Sequence, residues 1–494
     1  MRHARWLGVL AFLLAARCLA ATPYWVRVVD AETGRGVPLV QLSTTNFLTY
    51  WTDSNGVAVV DDPALAGHDV LFKVHSDGYV FEQKFLGDPG KVLHVEADHH
   101  DELKLKSLNI AERLYRITGA DIYRDTVLAG LKPPIAHPLL DGGVVGQDTN
   151  IATVYNGKIF WCWGDTNGLA NFNYAVTCAT SELPARGGLD PSVGVDLTYF
   201  TNPQGFARPM LPIHAPGLVW IGGLFTATDP SGKERLLASY TRVPGLAPPL
   251  ECGIAEFDDA TGHFRVIAKM PLSKGHISTH PFPVKVDGKA YWYLYPLERV
   301  PDDWKSILDS ASYESYTCLV PGASLDMAHP QLERKAAGGL VCGWKRNTAW
   351  IGADDERKLI AQGLLDAAHA NFPLIDVDTG KPTNARPDSV VWNAYRGKWI
   401  LLSERVGTIF YSEADQPTGP WLKAKAVLTH AAYNFYNVVE HPFFDADNGR
   451  TIYFEGTYTS SFSGAKHDTP RYNYNQMMYR LDLADDRLKA ARVK

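Results

Sequence analysis

The sequence predicts an all-β protein, a five-bladed β-propeller preceded by a small β-sandwich. Three observations carry this. Aromatic residues are abundant among the 494 residues, with 13 Trp, 23 Tyr and 20 Phe, and such side chains suit strands. Apolar and polar residues alternate over short runs bounded by Gly, Asn and Asp turns, the pattern of half-buried strands. From Gly142 onward a three-strand unit recurs five times. One such unit cannot bury both of its faces, whereas five arranged radially can.

The chain opens with MRHARWLGVLAFLLAARCLAA, a basic start followed by an apolar run too short to span a membrane and then by small residues. Residues 1–20 therefore read as a signal peptide, and export to the periplasm or the extracellular space is expected. No later stretch is apolar for long enough to predict membrane insertion. Removing residues 1–20 takes away three arginines and leaves 45 Lys+Arg against 54 Asp+Glu, a formal charge of −9. That balance argues against nucleic acid as a partner and disfavours strongly anionic polymers. Export permits disulfides. Cys162 with Cys178, and Cys318 with Cys342, are candidate bridges, and the odd count leaves at least one of the five remaining cysteines over. None has the spacing of a metal site.

Residues 22–100 read as the sandwich, with turns at Glu32-Thr33-Gly34, Ser54-Asn55-Gly56 and Asp77-Gly78. The stretches VVDAETGRGVPLV, TDSNGVA and HSDGY resemble the carboxypeptidase regulatory-like domain, an Ig-like or transthyretin-like module of secreted bacterial proteins. The resemblance implies an accessory role. Residues 103–140 read as a linker, with a short helix over NIAERLYRITG, capped by Asn109 and ended by Gly119. Residues 142–485 read as the propeller and 486–494 as a C-terminal tail. An insertion at about 297–386 separates the third and fourth units and carries a helical stretch, DDERKLIAQGLLDAAHA. The fifth unit is read as HPFFDAD, GRTIYFEGTYT and NQMMYRLDL.

The first unit carries the candidate chemistry. In GQDTNIATVYNGKIFWCWGDTNG, Asn156-Gly157 predicts a two-residue hairpin turn. That register sets Asp148 opposite Asp165, with Cβ atoms about 4.5–5.5 Å apart. Like charges face each other there at a cost, and paired carboxylates are the minimum apparatus of acid/base hydrolysis. Which aspartate is the acid stays open, although Asp165 follows Trp161 and Trp163 and has the more apolar neighbours in sequence. Two solvated strand-end aspartates, or half of a cation site, are the plainer readings of the pair.

First strands of propeller blades line the central channel, so matching positions in other units are candidates for substrate binding. They are His280 in THPFP and His441 in EHPFF. In the fourth unit a two-residue turn at Arg396-Gly397 sets Asp388 opposite Arg405, as a substrate clamp or a strand-end ion pair. Trp163 is a candidate sugar platform, and Glu404 and Glu455 are reserve acids. No metal-ligating motif stands out. A structural calcium in the channel is the one cofactor the reading leaves open. The G-x-S-x-G nucleophile motif and a phosphate loop are both missing.

The first-blade motifs Gly146-Gln147-Asp148 and Trp163-Gly164-Asp165-Thr166 resemble the G-x-D and F-G-D-T pattern of secreted propeller glycoside hydrolases, the family formerly of unknown function that includes bacterial endo-D-arabinanases. Trp163 stands where that family has phenylalanine. The resemblance implies that Asp148 and Asp165 are catalytic carboxylates. A second template, from the arabinanase and fructosidase propellers, keeps Asp148 and recruits an acid such as Glu404 from a later blade. The expected function is therefore a secreted glycoside hydrolase acting on a polysaccharide or oligosaccharide. One alternative is a propeller polysaccharide lyase using His280, His441, Tyr295 and Arg405 around a uronate. The other is a non-catalytic glycan-binding or surface protein.

Overall fold

Val70, Phe72 and Val74 alternate inward along the strand His68–His75, and this period-2 burial is repeated in Asp88–Val95 and His100–Ser107. The computed structural model describes residues 22–172, 175–274 and 280–493. The predicted signal peptide lies outside them. Two sheets enclose the N-terminal core. One runs in the order Val57–Val60, Tyr24–Asp30, His100–Ser107, Tyr79–Val80, and the other is Thr49–Trp51, Gln41–Ser43, His68–His75, Asp88–Val95, Lys84–Phe85. Val26, Val28, Phe72, Leu93 and Leu103 meet between them. The module does not end at residue 100. His100 begins its last long strand, which runs parallel to Tyr24–Asp30 and extends the sandwich to Ser107.

Five more sheets follow. Their first strands are Asn150–Tyr155, Leu218–Thr228, Phe282–Val286, Arg386–Asn393 and Asn434–Glu440. The strand Asn150–Tyr155 packs against Leu218–Thr228 on one side and Asn434–Glu440 on the other, and Asn434–Glu440 in turn packs against Arg386–Asn393. Each sheet is antiparallel outward from its first strand, apart from the short parallel edge Ile375–Asp376 in the fourth. Buried aromatic and aliphatic side chains fill the gaps between sheets, among them Trp161, Phe225, Tyr411 and Tyr479. Cys162 pairs across the ladder with Cys178 and is bonded to it, Cys318 is bonded to Cys342, and Cys252 is free and buried.

Several expectations are corrected. The stretch read as a linker helix holds a strand, Glu112–Arg116, hydrogen-bonded to Asn475–Asp482 as the outermost strand of the fifth sheet. Its partner is more than 350 residues away in sequence, so no local pattern announces it, and Leu114 and Tyr115 are buried in the sheet-to-sheet core. The helix of this region is Arg124–Leu128. The fifth sheet begins at Asn434–Glu440 rather than at HPFFDAD, which forms turns between its first two strands. Much of the supposed insertion belongs to the third sheet, through Glu298–Pro301, Glu314–Thr317 and Gly343–Arg346, and its helix is shorter, Ala353–Ala361. The C-terminal tail is not loose. Asp486–Ala491 is a 3-10 turn that buries Leu488 and Ala491.

A buried acidic pair sits at the end of Asn434–Glu440. Both carboxylate oxygens of Glu440 and one of Asp445 are buried without a hydrogen-bond partner. Burial, reinforced by Asp445, pushes Glu440 well above the carboxylate range, and burial pushes Asp445 up to about 7. The fold thus favours the protonated forms. For Asp445 the contribution to stability is whole below an ordinary carboxylate pKa of about 4 and is lost as pH rises through about 7. Asp445→Asn is expected to raise Tm by a few degrees at pH 8 and to leave it unchanged at pH 4, read by thermal denaturation. An equal shift at both pH values would contradict this.

Candidate active site

The register set by Asn156-Gly157 runs from Tyr155↔Lys158 to Asn150↔Trp163 and is regained at Gln147↔Thr166. Asp148 and Asp165 lie opposite each other in the intervening irregularity, where the Asp148 N–H donates to the Asp165 carbonyl at 3.3 Å. Gln147 anchors the approach: its amide donates to Thr177 and its carbonyl oxygen accepts from Tyr199. Thr149 adopts a left-handed φ of 49° and donates its N–H to the Thr457 hydroxyl. Gly164 is required, because a Cβ there would come within 2.5 Å of Asp148 Oδ1. The G-D-T motif thus owes its glycine to the carboxyl packed against it.

Both carboxyls face one cavity of about 1170 Å³ into which all five sheets contribute. Tyr436 donates to Asp148 Oδ2 at 2.7 Å, with the Tyr474 hydroxyl also bonding that carboxyl. Trp220 Nε1 donates to Asp165 Oδ1 at 2.9 Å. Burial, joined by the charge of Asp165, pushes Asp148 up to about 6 against the two tyrosine hydroxyls. Asp165 is raised as well, by burial, against the pull of Trp220. Asp148 is therefore the member held more firmly in its protonated form, although Asp165 has the more apolar neighbours in sequence. Trp220, Tyr436 and Tyr474 were not among the predicted site residues. Tyr436 lies on a strand that the repeat pattern missed, and nothing local marks Trp220 out from the other strand aromatics.

The remaining candidates divide. His280 lines the cavity. Its Nε2 is buried with no partner among the described residues, and burial holds the imidazole neutral, well below its usual range. His441 does not line it. Its ring is buried, its Nε2 bonds Glu455 Oε1 at 2.6 Å, and it stacks on Phe443. Glu455 is likewise buried behind the cavity, so neither touches a substrate there. Trp163 is fully buried between Trp161 and Tyr199 and is core, not a sugar platform.

The Asp388–Arg405 pair does not form. The fourth-sheet hairpin pairs Asn393 with Lys398 around a four-residue loop, which the Asn393 carbonyl and side chain cap. The register moves with the loop. Arg386 faces Glu404 and is ion-paired with it, whereas Asp388 falls on a bulge and accepts from the Val438 N–H. Burial and the neighbouring Glu404 push Asp388 well above the carboxylate range. Arg405 lines the cavity, but its guanidinium donates to the Thr383 carbonyl and lies over the Phe410 ring.

Among the described residues no group of three or more His, Cys, Asp or Glu side chains is arranged to hold a metal ion. His441 and Glu455 are paired to each other. No chemical step below uses the calcium left open by the sequence. No helix among the described residues is long and apolar enough to cross a membrane.

No family model and no curated protein matches this sequence. Solved structures with partial likeness include a candidate hydrolase of Bacteroides ovatus, 13% identical with a TM-score of 0.39, which aligns over 69% of this chain and 87% of its own. An exo-beta-1,3-galactanase of Phanerochaete chrysosporium, solved with galactose, is 10% identical with a TM-score of 0.35 over 74% of this chain and 64% of its own. A GH43_1 enzyme of Xanthomonas citri, solved with xylotriose, is 14% identical with a TM-score of 0.33 over 68% and 86%. At that level of likeness the role of each residue has to come from this chain's own geometry.

Proposed function

We propose that the protein is an exported glycoside hydrolase that cleaves a polysaccharide or oligosaccharide, with Asp148 and Asp165 as its acid/base pair. In this reading the five sheets are the blades of a propeller, and the N-terminal sandwich is an accessory module of the carboxypeptidase regulatory-like kind. The observation that carries it is the pairing of two carboxyls, both raised by burial, at one face of a large shared cavity. A carboxyl that keeps its proton near pH 6 can give it to a glycosidic oxygen. Its neighbour, once ionised, can act on the sugar as base or nucleophile. Asp148 is the acid in this scheme. Glu404 is less suited to that role, because it is already engaged by Arg386 in an ion pair.

The lining supports a neutral substrate. Even with Asp148 and Asp388 protonated, Asp165, Asp354, Glu404 and Asp468 outnumber the two arginines, Arg386 and Arg405. A uronate would meet net negative charge, and the histidine, tyrosine and arginine set of a lyase does not assemble, since His441 lies outside the cavity. The test is a panel of neutral and uronate polysaccharides scored both for new reducing ends and for unsaturated products absorbing in the near ultraviolet. Reducing ends without ultraviolet absorbance are expected. Unsaturated products would replace this reading with a lyase, and binding without turnover would leave a glycan-binding protein.

A further inference from the structure

Four of the exposed residues at the mouth of the cavity are apolar, and they stand among polar ones, Asp354, Asn384, Arg386, Arg405 and Asp468. Leu246 is 85% exposed, Phe172 79%, Phe462 70% and Val406 56%, and all four line the same cavity as Asp148 and Asp165. Exposed apolar residues scattered singly need no explanation, but these are not scattered. Each sits on the loop joining the second and third strands of its sheet, in the first, second, fourth and fifth sheets respectively for Phe172, Leu246, Val406 and Phe462. Four topologically equivalent loops thus bring an apolar side chain to one rim. Phe462 does so at φ 57°, a conformation that disfavours a bulky side chain. Its ring meets that of Tyr436, the tyrosine bonded to Asp148, edge-on at 6.4 Å. The apolar rim is therefore continuous with the acidic floor. Hydroxyl-rich sugar suits the carboxylates and the amides of Asn434 and Asn437 below, but it would leave leucine and valine at the rim without a complementary surface.

We propose that the substrate is an amphipathic glycoconjugate: a neutral sugar reaching the Asp148–Asp165 floor and bearing an alkyl or acyl chain that lies on the rim formed by Leu246, Phe462, Val406 and Phe172. This rests on the hydrolase reading above. The chain contributes binding by removing apolar surface from water, and it leaves the chemistry at the two aspartates unchanged.

The experiment compares matched methyl and n-octyl glycosides of gluco, galacto, xylo and arabino configuration, below the micellar concentration of the octyl series, using the intact protein. For the sugar that is cleaved, KM for the octyl glycoside should lie at least about tenfold below that for the methyl glycoside. The double variant Leu246→Ser/Phe462→Asn should bring the ratio of the two KM values toward one while kcat on the octyl glycoside is kept. Both positions are exposed, and asparagine tolerates the positive φ at 462. Cleavage of both glycosides with equal KM would overturn the amphipathic substrate and leave the hydrolase standing. An octyl preference that survives in the double variant would remove the rim as its cause. Failure to cleave any glycoside of either series, while the polysaccharide panel yields new reducing ends, would overturn this inference and leave the hydrolase standing; no turnover on either set would remove both.

Discussion

Asp148→Asn and Asp165→Asn, made separately, are each expected to lower kcat on an identified glycan by at least about 10²-fold, the lower end of what acid/base catalysis contributes. Asparagine keeps the shape of the carboxyl and can still meet Tyr436 or Trp220, so the fold should remain. The loss would then fall on proton transfer. For Asp148 the expectation has a second part. Its pKa is raised to about 6 by burial, so as the acid it carries its proton below about pH 6 and loses it above. Activity should fall as pH rises through about 6. Stability has the same sign: a raised carboxyl pKa contributes stability below about pH 4 that is lost as pH rises through about 6. Asp148→Asn should therefore be at least as stable as the parent at pH 7 while nearly inactive. Kinetics and thermal denaturation on the same samples check both parts. Near-normal turnover in either variant would remove that aspartate from the mechanism and direct attention to Asp388 and Glu404, which line the same cavity.

A chain that begins at Gly142, where the repeat pattern begins, is expected not to fold. Such a truncation removes Glu112–Arg116 and so strips the outer strand from the fifth sheet, leaving Asn475–Asp482 as an unpaired edge. It also removes Leu114, Tyr115 and Ile117 from the core they share with Trp161 and Met478, at about 1.5–3 kcal/mol for each large side chain. The sandwich is tied to the same sheet. Arg113 is fully buried and donates to Tyr479, Ser76 and the carbonyls of Pro38 and Asp77. Arg471 pairs with Asp125 at 2.8 Å, and Tyr472 donates to the Thr52 carbonyl. The three side chains alone come to about 5–9 kcal/mol, comparable with the whole stability of a typical domain, about 5–15 kcal/mol. The 142–494 fragment should be insoluble or unfold without cooperativity, while the 22–494 chain gives one soluble, cooperatively unfolding species. A monomeric 142–494 fragment with a sharp transition would show that the fifth sheet closes without its N-terminal strand.

What the residues determine by themselves is local. Asn156-Gly157 allows one hairpin geometry, so the opposition of Asp148 and Asp165 could be read directly, and alternating apolar residues could be read as strands in the sandwich and in each repeated unit. The same rule misread the fourth sheet. There the loop extends from Ala394 to Gly397, and two extra residues moved Glu404 from a reserve position to the partner of Arg386 and left Asp388 on a bulge. Turn length depends on how Asn393 caps the loop and what its strands pack against, which the dipeptide Arg396-Gly397 does not encode. The tertiary structure alone decided the rest. Strand pairing across more than 350 residues placed Glu112–Arg116 in the fifth sheet. Convergence of separate sheets brought Tyr436 and Trp220 to the two aspartates, while His441 turned to Glu455 behind the cavity. A backbone period of two tells which face of its own strand a side chain occupies; where that face points is set by the sheets packed on either side.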